Sequence, residues 1–270
     1  MNSHAFTAAP GTLILIPAYN AQATIAAVAE SALAVGPKVL VIDDGSTDAT
    51  AAEAARAGAM VLRHAKNRGK GAALQTGFAH AAAQGMQSVL TLDADGQHDP
   101  AEAQKLLAAA AAQPGSLIIG VRSFDPALMP RRSRVGNQIS TFFISRFARR
   151  PHRDTQSGFR IYPRRLFTMP LRTRRFDTET ELLLWAAKLG IPLCEVPIQT
   201  IYHGHGPAPD RTPDQSAAPA DAAANRSAQA AQPPEGAVHK SHFRNWEDTL
   251  RVIRLVIGSP WWRTEAARSS

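Results

Sequence analysis

Short, continuous apolar runs alternate with longer alanine-rich stretches through residues 12–121, and few folds accommodate that pattern. The apolar runs occupy residues 12–16, 38–42, 59–63, 88–93 and 117–121. Between them, residues 24–34, 48–57, 69–83 and 100–112 read as helices. An unbroken apolar run of strand length marks a strand buried on both faces. Strands alternating with helices build a mostly parallel central sheet, helix-covered on both faces. The punctuation agrees: Pro17 ends the first run, Asp48 can cap the second helix, Gly58 stops it, and Pro100 suits a first helical position. The expected class is α/β, with one Rossmann-like nucleotide-binding domain.

In such sheets ligands bind outside the carboxyl ends of the strands. The polar clusters of this chain fall at those ends: Pro17 to Asn20, Asp43 to Ser46, Asp93 to Asp99, and Arg122. The most informative is Leu92-Asp93-Ala94-Asp95-Gly96-Gln97-His98-Asp99. Two carboxylates two residues apart at a strand end can turn toward one ion, and Gln97 adds an amide oxygen. A few hard oxygen donors, with positions left for water and phosphate, describe a Mg2+ or Mn2+ site acting on a nucleotide diphosphate. The plainer alternative makes Asp93 and Asp95 solvated loop acids and Asp99 the cap of the helix that Pro100 begins.

The formal net charge of +8 favours anionic partners such as nucleotides, phosphorylated lipids or an anionic membrane surface. Nucleic acid is not expected, because no helix-turn-helix, zinc-finger spacing or aromatic RNA-binding signature accompanies the charge. The single cysteine, Cys194, excludes intramolecular disulfides and reads as packing within an apolar run. It fits a reducing compartment, so a cytoplasmic location is expected. Residues 1–10 do not read as a signal peptide, and no apolar run nears the roughly 20 residues that span a bilayer. Membrane contact, where it occurs, is expected to be peripheral, on the inner face of the cytoplasmic membrane.

Beyond residue 122 the pattern changes. Residues 131–150 mix six arginines with Phe142, Phe143, Ile144 and Phe147, as in either a core-packing helix or a membrane-surface one. Residues 154–160 read as a polar loop entering a short strand, 176–189 as a helix and 193–202 as a strand. Residues 204–240 are rich in Ala, Pro, Asp and Gln and are expected to be a disordered insertion. Residues 241–270 return to order with Ser241-His242-Phe243-Arg244, an amphipathic C-terminal helix and Trp261-Trp262. The expected organisation is thus a domain over residues 1–203, the insertion, and this C-terminal segment.

Four motifs occur in order: Ile16-Pro17-Ala18-Tyr19-Asn20, Val41-Ile42-Asp43-Asp44-Gly45-Ser46-Thr47-Asp48, Asn67-Arg68-Gly69-Lys70-Gly71, and the Asp93 to His98 stretch. Together they resemble family 2 glycosyltransferases of the GT-A fold. Gln156-Ser157-Gly158-Phe159-Arg160 and Phe176-Asp177-Thr178-Glu179 narrow the resemblance to polyprenyl-phosphate (dolichyl-phosphate) mannosyl- and glucosyltransferases. The resemblance implies a metal-dependent, inverting hexosyl transfer from a nucleotide sugar to a polyprenyl phosphate or related lipid. It places Pro17, Tyr19, Asn20, Ile42, Asp44 and Ala94 around the nucleoside, with Arg68, Lys70, Arg122 and Arg244 near the diphosphate. Asp93, Asp95 and Gln97 would hold Mg2+ or Mn2+, neutralising the departing nucleoside diphosphate.

The acceptor decides what else is required. A sugar hydroxyl needs a general base, for which Asp177 and Glu179 are the candidates. A lipid phosphate is already ionised and needs cations to hold it near a second anion; residues 131–150, Arg160 and residues 240–244 supply them. Transfer to a hydroxyl of a glycolipid or polysaccharide precursor is the rival reaction, and a nucleotide-sugar-binding regulator the rival class. His242 stands where the resemblance leads one to expect lysine, and Asn20 where an acid is common. The Gln156 to Phe159 segment favours UDP-glucose over GDP-mannose as donor. His203 and His205 are read as loop residues, without a metal.

Overall fold

The computed structural model describes residues 11–36, 38–96, 102–122, 157–173 and 177–199. Among them the elements run β1 (Thr12–Ala18), α1 (Ile25–Val35), β2 (Val39–Asp43), α2 (Thr50–Arg56), β3 (Met60–Arg63), α3 (Lys70–Ala83), β4 (Ser88–Thr91) and α4 (Ala103–Ala112). β5 (Leu117–Arg122), β6 (Arg160–Pro163), α5 (Arg164–Phe167), α6 (Asp177–Lys188) and β7 (Leu193–Ile198) follow. The strands form one seven-stranded sheet in the order β3-β2-β1-β4-β6-β5-β7. β1 lies parallel between β2 and β4, β3 extends the sheet beyond β2, and β7 runs parallel to β5. Only β6 is reversed, antiparallel to both β4 and β5.

Side chains alternate across a strand, so one apolar run supplies two faces. Leu13 and Leu15 of β1 join Leu40 and Ile42 of β2 on one face, beneath Leu74 and Phe78 of α3 and Leu182 and Leu183 of α6. Ile14 and Ile16 join Val39 and Val41 on the other, beneath α1 and the Leu106 and Leu107 of α4. α1 buries Ile25, Val28, Ala29, Ala32 and Val35, a single stripe at helical spacing. Fully burying a side chain such as Leu15 stabilises the domain by about 2 kcal/mol. α3 approaches β1 so closely that a methyl group at Gly77 would overlap the Leu15 side chain.

The sheet is therefore mostly parallel and helix-covered on both faces, as the alternation predicts. Several boundaries differ. β1 does not stop before Pro17 but continues to Ala18. The ladder between β1 and β4 ends at Leu15↔Thr91, so the missing Pro17 N–H faces a side with no further partner. β4 ends at Thr91, freeing Asp93 from the sheet, and α4 begins at Ala103. α5 was not foreseen: it is a single turn directly after β6 that buries Leu166 and Phe167. Cys194 is only partly buried, packed against the second core layer. Among the described residues no helix is long and apolar enough to cross a membrane. Residues 131–150, 204–240 and 241–270, with the expectations placed on them, lie outside the described residues.

Candidate active site

The turns leaving β1 and β2 are laced together. Asn20 takes a left-handed backbone (φ 50), a conformation asparagine tolerates better than most residues. Its Oδ1 accepts from Thr47 N at 2.9 Å, and its own N–H donates to Ser46 Oγ at 2.9 Å. Ala21 N donates to Thr50 Oγ1 at 2.8 Å, and Ala49 N to Gln22 Oε1 at 3.0 Å. Tyr19 stands at this edge, 38% exposed. It is the one member of the expected nucleoside set here whose ring is open to a ligand. The side chains of Pro17 and Ile42 are buried within the sheet layers, and the Asn20 carbonyl oxygen accepts from Thr47 N.

Asp43 and Asp44 divide their work differently than expected. Asp43 is fully buried; its Oδ1 accepts from Ser46 N at 2.9 Å and its Oδ2 lies 3.1 Å from Arg63 Nε. Asp43 thus holds the turn that leaves β2. Asp44, expected to face the nucleoside, is buried too. Its carboxylate accepts from Arg68 N at 3.0 Å and Gly69 N at 2.7 Å, and it pairs with His64 Nδ1 at 2.6 Å. His64 Nε2 in turn lies 2.9 Å from Thr76 Oγ1 on α3. With its lone pairs so engaged, Asp44 fastens the residue 64–69 loop rather than a ligand. The loop ends at Gly69, whose φ of 96 only glycine adopts easily, and this delivers Lys70 as the first residue of α3.

Lys70 is the centre of the arrangement. Its Nζ lies 2.6 Å from Asp93 Oδ1 and 3.1 Å from Glu179 Oε1. Burial works against its charge, but the two carboxylates more than offset this and hold the ammonium above the ordinary lysine range. Glu179, one of the two candidate bases, is buried with its carboxylate paired to this cation. Asp93 is backed by Gly158, where a methyl group would overlap its carboxylate. Thr91 Oγ1 donates to Gly158 O at 2.6 Å and pins that glycine to β4. Ala94 is buried and its carbonyl accepts from Thr24 Oγ1, tying the loop after β4 to the start of α1. Arg160, expected to meet an acceptor phosphate, is fully buried instead. Its Nε donates to Ser157 O at 2.7 Å and its Nη1 to Glu179 O at 3.2 Å. It supports the floor of the site rather than lining it.

Asp93 and Asp95 remain partly exposed just beyond β4. Among the described residues no group of three or more His, Cys, Asp or Glu side chains gathers to form a closed metal cage. Two carboxylates with open positions suit a hard divalent cation that completes its shell with phosphate and water. Gln97, Arg244 and the side chains of Arg122 and Asp177 lie outside the described part. His64, Thr24 and Gly158 were not singled out as functional from sequence. Only Gly158 carried a signal, inside the Gln156 to Arg160 motif.

The model of the family Glycosyl transferase family 2 matches residues 13–169, from β1 through α5. The chain belongs to that family. This glycosyltransferase is 33% identical over 196 residues to an uncharacterised protein of Methanocaldococcus jannaschii, covering 70% of this chain and 81% of that one. It is 29% identical over 213 residues to a UDP-N-acetylglucosamine–dolichyl-phosphate N-acetylglucosaminyltransferase of Methanococcus voltae, covering 70% and 85%. Among solved structures it resembles the glucosyl-3-phosphoglycerate synthase of Mycobacterium tuberculosis in complex with Mn2+, UDP and glucosyl-3-phosphoglycerate. That likeness has a TM-score of 0.60 at 22% identity and covers 74% of each chain. With the strand order, it identifies the fold of this glycosyltransferase as GT-A.

Proposed function

We propose that this glycosyltransferase moves a hexose from a nucleotide sugar to a polyprenyl phosphate or related lipid phosphate, with inversion at the anomeric carbon. The observation that carries the reading is the pairing of Glu179 with Lys70, which engages one of the two candidate bases with a cation. An attacking phosphate oxygen needs no base, because it is ionised near neutral pH. The oxygen forms the new bond to the anomeric carbon as the bond to the nucleoside diphosphate breaks. Asp93, Asp95 and Gln97 would hold a divalent cation, Mg2+ or Mn2+, whose charge offsets that developing on the leaving diphosphate. Tyr19 would flank the base, and Arg122 and Arg244 are the proposed cations for the diphosphate. The name of the Methanococcus voltae relative specifies a dolichyl-phosphate acceptor, and the Mycobacterium tuberculosis fold neighbour holds Mn2+ with UDP; both agree with this reading.

Residues 1–203 form the transferase domain in this proposal, with 204–240 as an insertion. Residues 241–270 carry Arg244 and an amphipathic helix that meets an anionic membrane surface from the cytoplasmic side. The donor is proposed as UDP-glucose ahead of GDP-mannose.

The test is product formation from radiolabelled UDP- and GDP-hexoses with polyprenyl phosphate and Mn2+ or Mg2+, comparing the native chain with Asp95→Ala. A labelled lipid that disappears in the variant and on chelation supports acceptor and metal together. Metal-dependent release of nucleotide without labelled lipid would move the acceptor to a hydroxyl compound and make Asp177 the candidate base.

A further inference from the structure

We propose that Lys70 is a resident counter-ion of Asp93, and that Glu179 is a positioning residue which, by holding Lys70, sets how strongly Asp93 takes up a divalent cation. The inference rests on the metal reading above and adds to it what Lys70 and Glu179 do to Asp93.

Three elements meet at the ammonium. Lys70 opens α3, Asp93 follows β4, and Glu179 lies in the first turn of α6. The Nζ group has three donors and engages both carboxylates at once, at 2.6 Å and 3.1 Å. The partners differ in one respect. The Glu179 side chain is 7% exposed and the Asp93 side chain 26%. Glu179 thus meets Lys70 from the interior, while Asp93 keeps part of its surface accessible. Gly158 closes the space behind, so Asp93 has nowhere to withdraw.

A cation arriving at Asp93 must therefore share that carboxylate with an ammonium already in place, and like charges so close repel. Glu179 lessens the repulsion by drawing Lys70 toward itself. Without Glu179, Asp93 would lose the carboxylate that shares the ammonium with it. Metal uptake by the protein alone is weak in this arrangement. It strengthens when a diphosphate brings further negative charge, which couples the cation to the donor.

The test is a double-mutant cycle read as Mn2+ affinity of the full chain, from the electron paramagnetic resonance of free Mn2+, first alone and then with UDP. Lys70→Met is expected to tighten Mn2+ binding about tenfold and Glu179→Gln to weaken it about tenfold, typical magnitudes for coupled sites. The decisive comparison is Glu179→Gln in the Lys70→Met background, where the effect of Glu179 should vanish because it acts through Lys70. An equal weakening in both backgrounds would overturn the proposal, since Glu179 would then act only through its own charge. Mn2+ binding unchanged or weakened in Lys70→Met would overturn it as well. If Lys70→Met does not fold, as judged by circular dichroism, Lys70→Gln takes its place in the cycle. A native chain that binds no Mn2+ with or without UDP removes the metal reading itself, and this inference with it.

Discussion

The hydroxyl of Thr24 donates to the carbonyl of Ala94 at 2.5 Å, joining two points 70 residues apart in the chain. Through this bond the start of α1 steadies the loop that presents Asp93 and Asp95. Thr24→Val keeps the shape and removes the donor, leaving a buried carbonyl unpaired at a cost of about 1–3 kcal/mol. UDP affinity, measured calorimetrically with Mn2+ present, should fall about fivefold or more. An unchanged affinity would mean that the loop is held by other contacts.

Gly158→Ala tests the floor under Asp93. The added methyl overlaps the carboxylate, so the acid must shift. A displacement of about 1 Å at a reacting centre can cost about 100-fold in turnover. The expected outcome is a turnover loss of that order with a native circular dichroism spectrum. Full turnover would show that the site tolerates a displaced Asp93.

Asp44→Ala is expected to act on stability rather than on ligand contact alone. It strands Arg68 N, Gly69 N and the His64 ring, all of which the carboxylate now satisfies. The loss should be about 3 kcal/mol, seen as a lower urea midpoint. A variant of native stability that has lost only UDP binding would return Asp44 to the nucleoside contact first expected of it.

Tyr162 carries a pH prediction. Burial pushes its phenol up from 10.0 to about 12. Because the folded value exceeds the unfolded one, its contribution to stability is complete below pH 10 and is lost as pH rises toward 12. Unfolding free energy measured across that window should decline in the native chain, and Tyr162→Phe should remove this part of the slope. An identical slope in the variant would assign the loss to other groups.

The layers were legible because they depend on local pattern. Leu13 and Leu15 on one face and Ile14 and Ile16 on the other follow from strand geometry alone, and the polar clusters at strand ends follow from the parallel sheet. Chemically suggestive residues were harder to place. Arg160 read as a cation for an acceptor, yet it is buried against the carbonyls of Ser157 and Glu179. Glu179 read as a base, yet it is bound to Lys70 on another helix. Asp44 read as a ligand contact, yet it holds a loop two dozen residues downstream. In each case at least one partner is remote in sequence, and several are main-chain groups with no residue signature. The reversal of β6 was equally hidden, because a four-residue strand carries no pattern that fixes its direction.

That reversal has an evolutionary consequence. Because β6 runs against β4 and β5, the chain leaves β5 at Arg122 and re-enters at Arg160 on the same rim of the sheet, the rim that carries Asp93. β7, parallel to β5, departs from that rim at Ile198. β5 and β7 thus end, and β6 begins, on the rim that carries Asp93. An insertion at those strand ends can change what borders the rim without disturbing the packed layers.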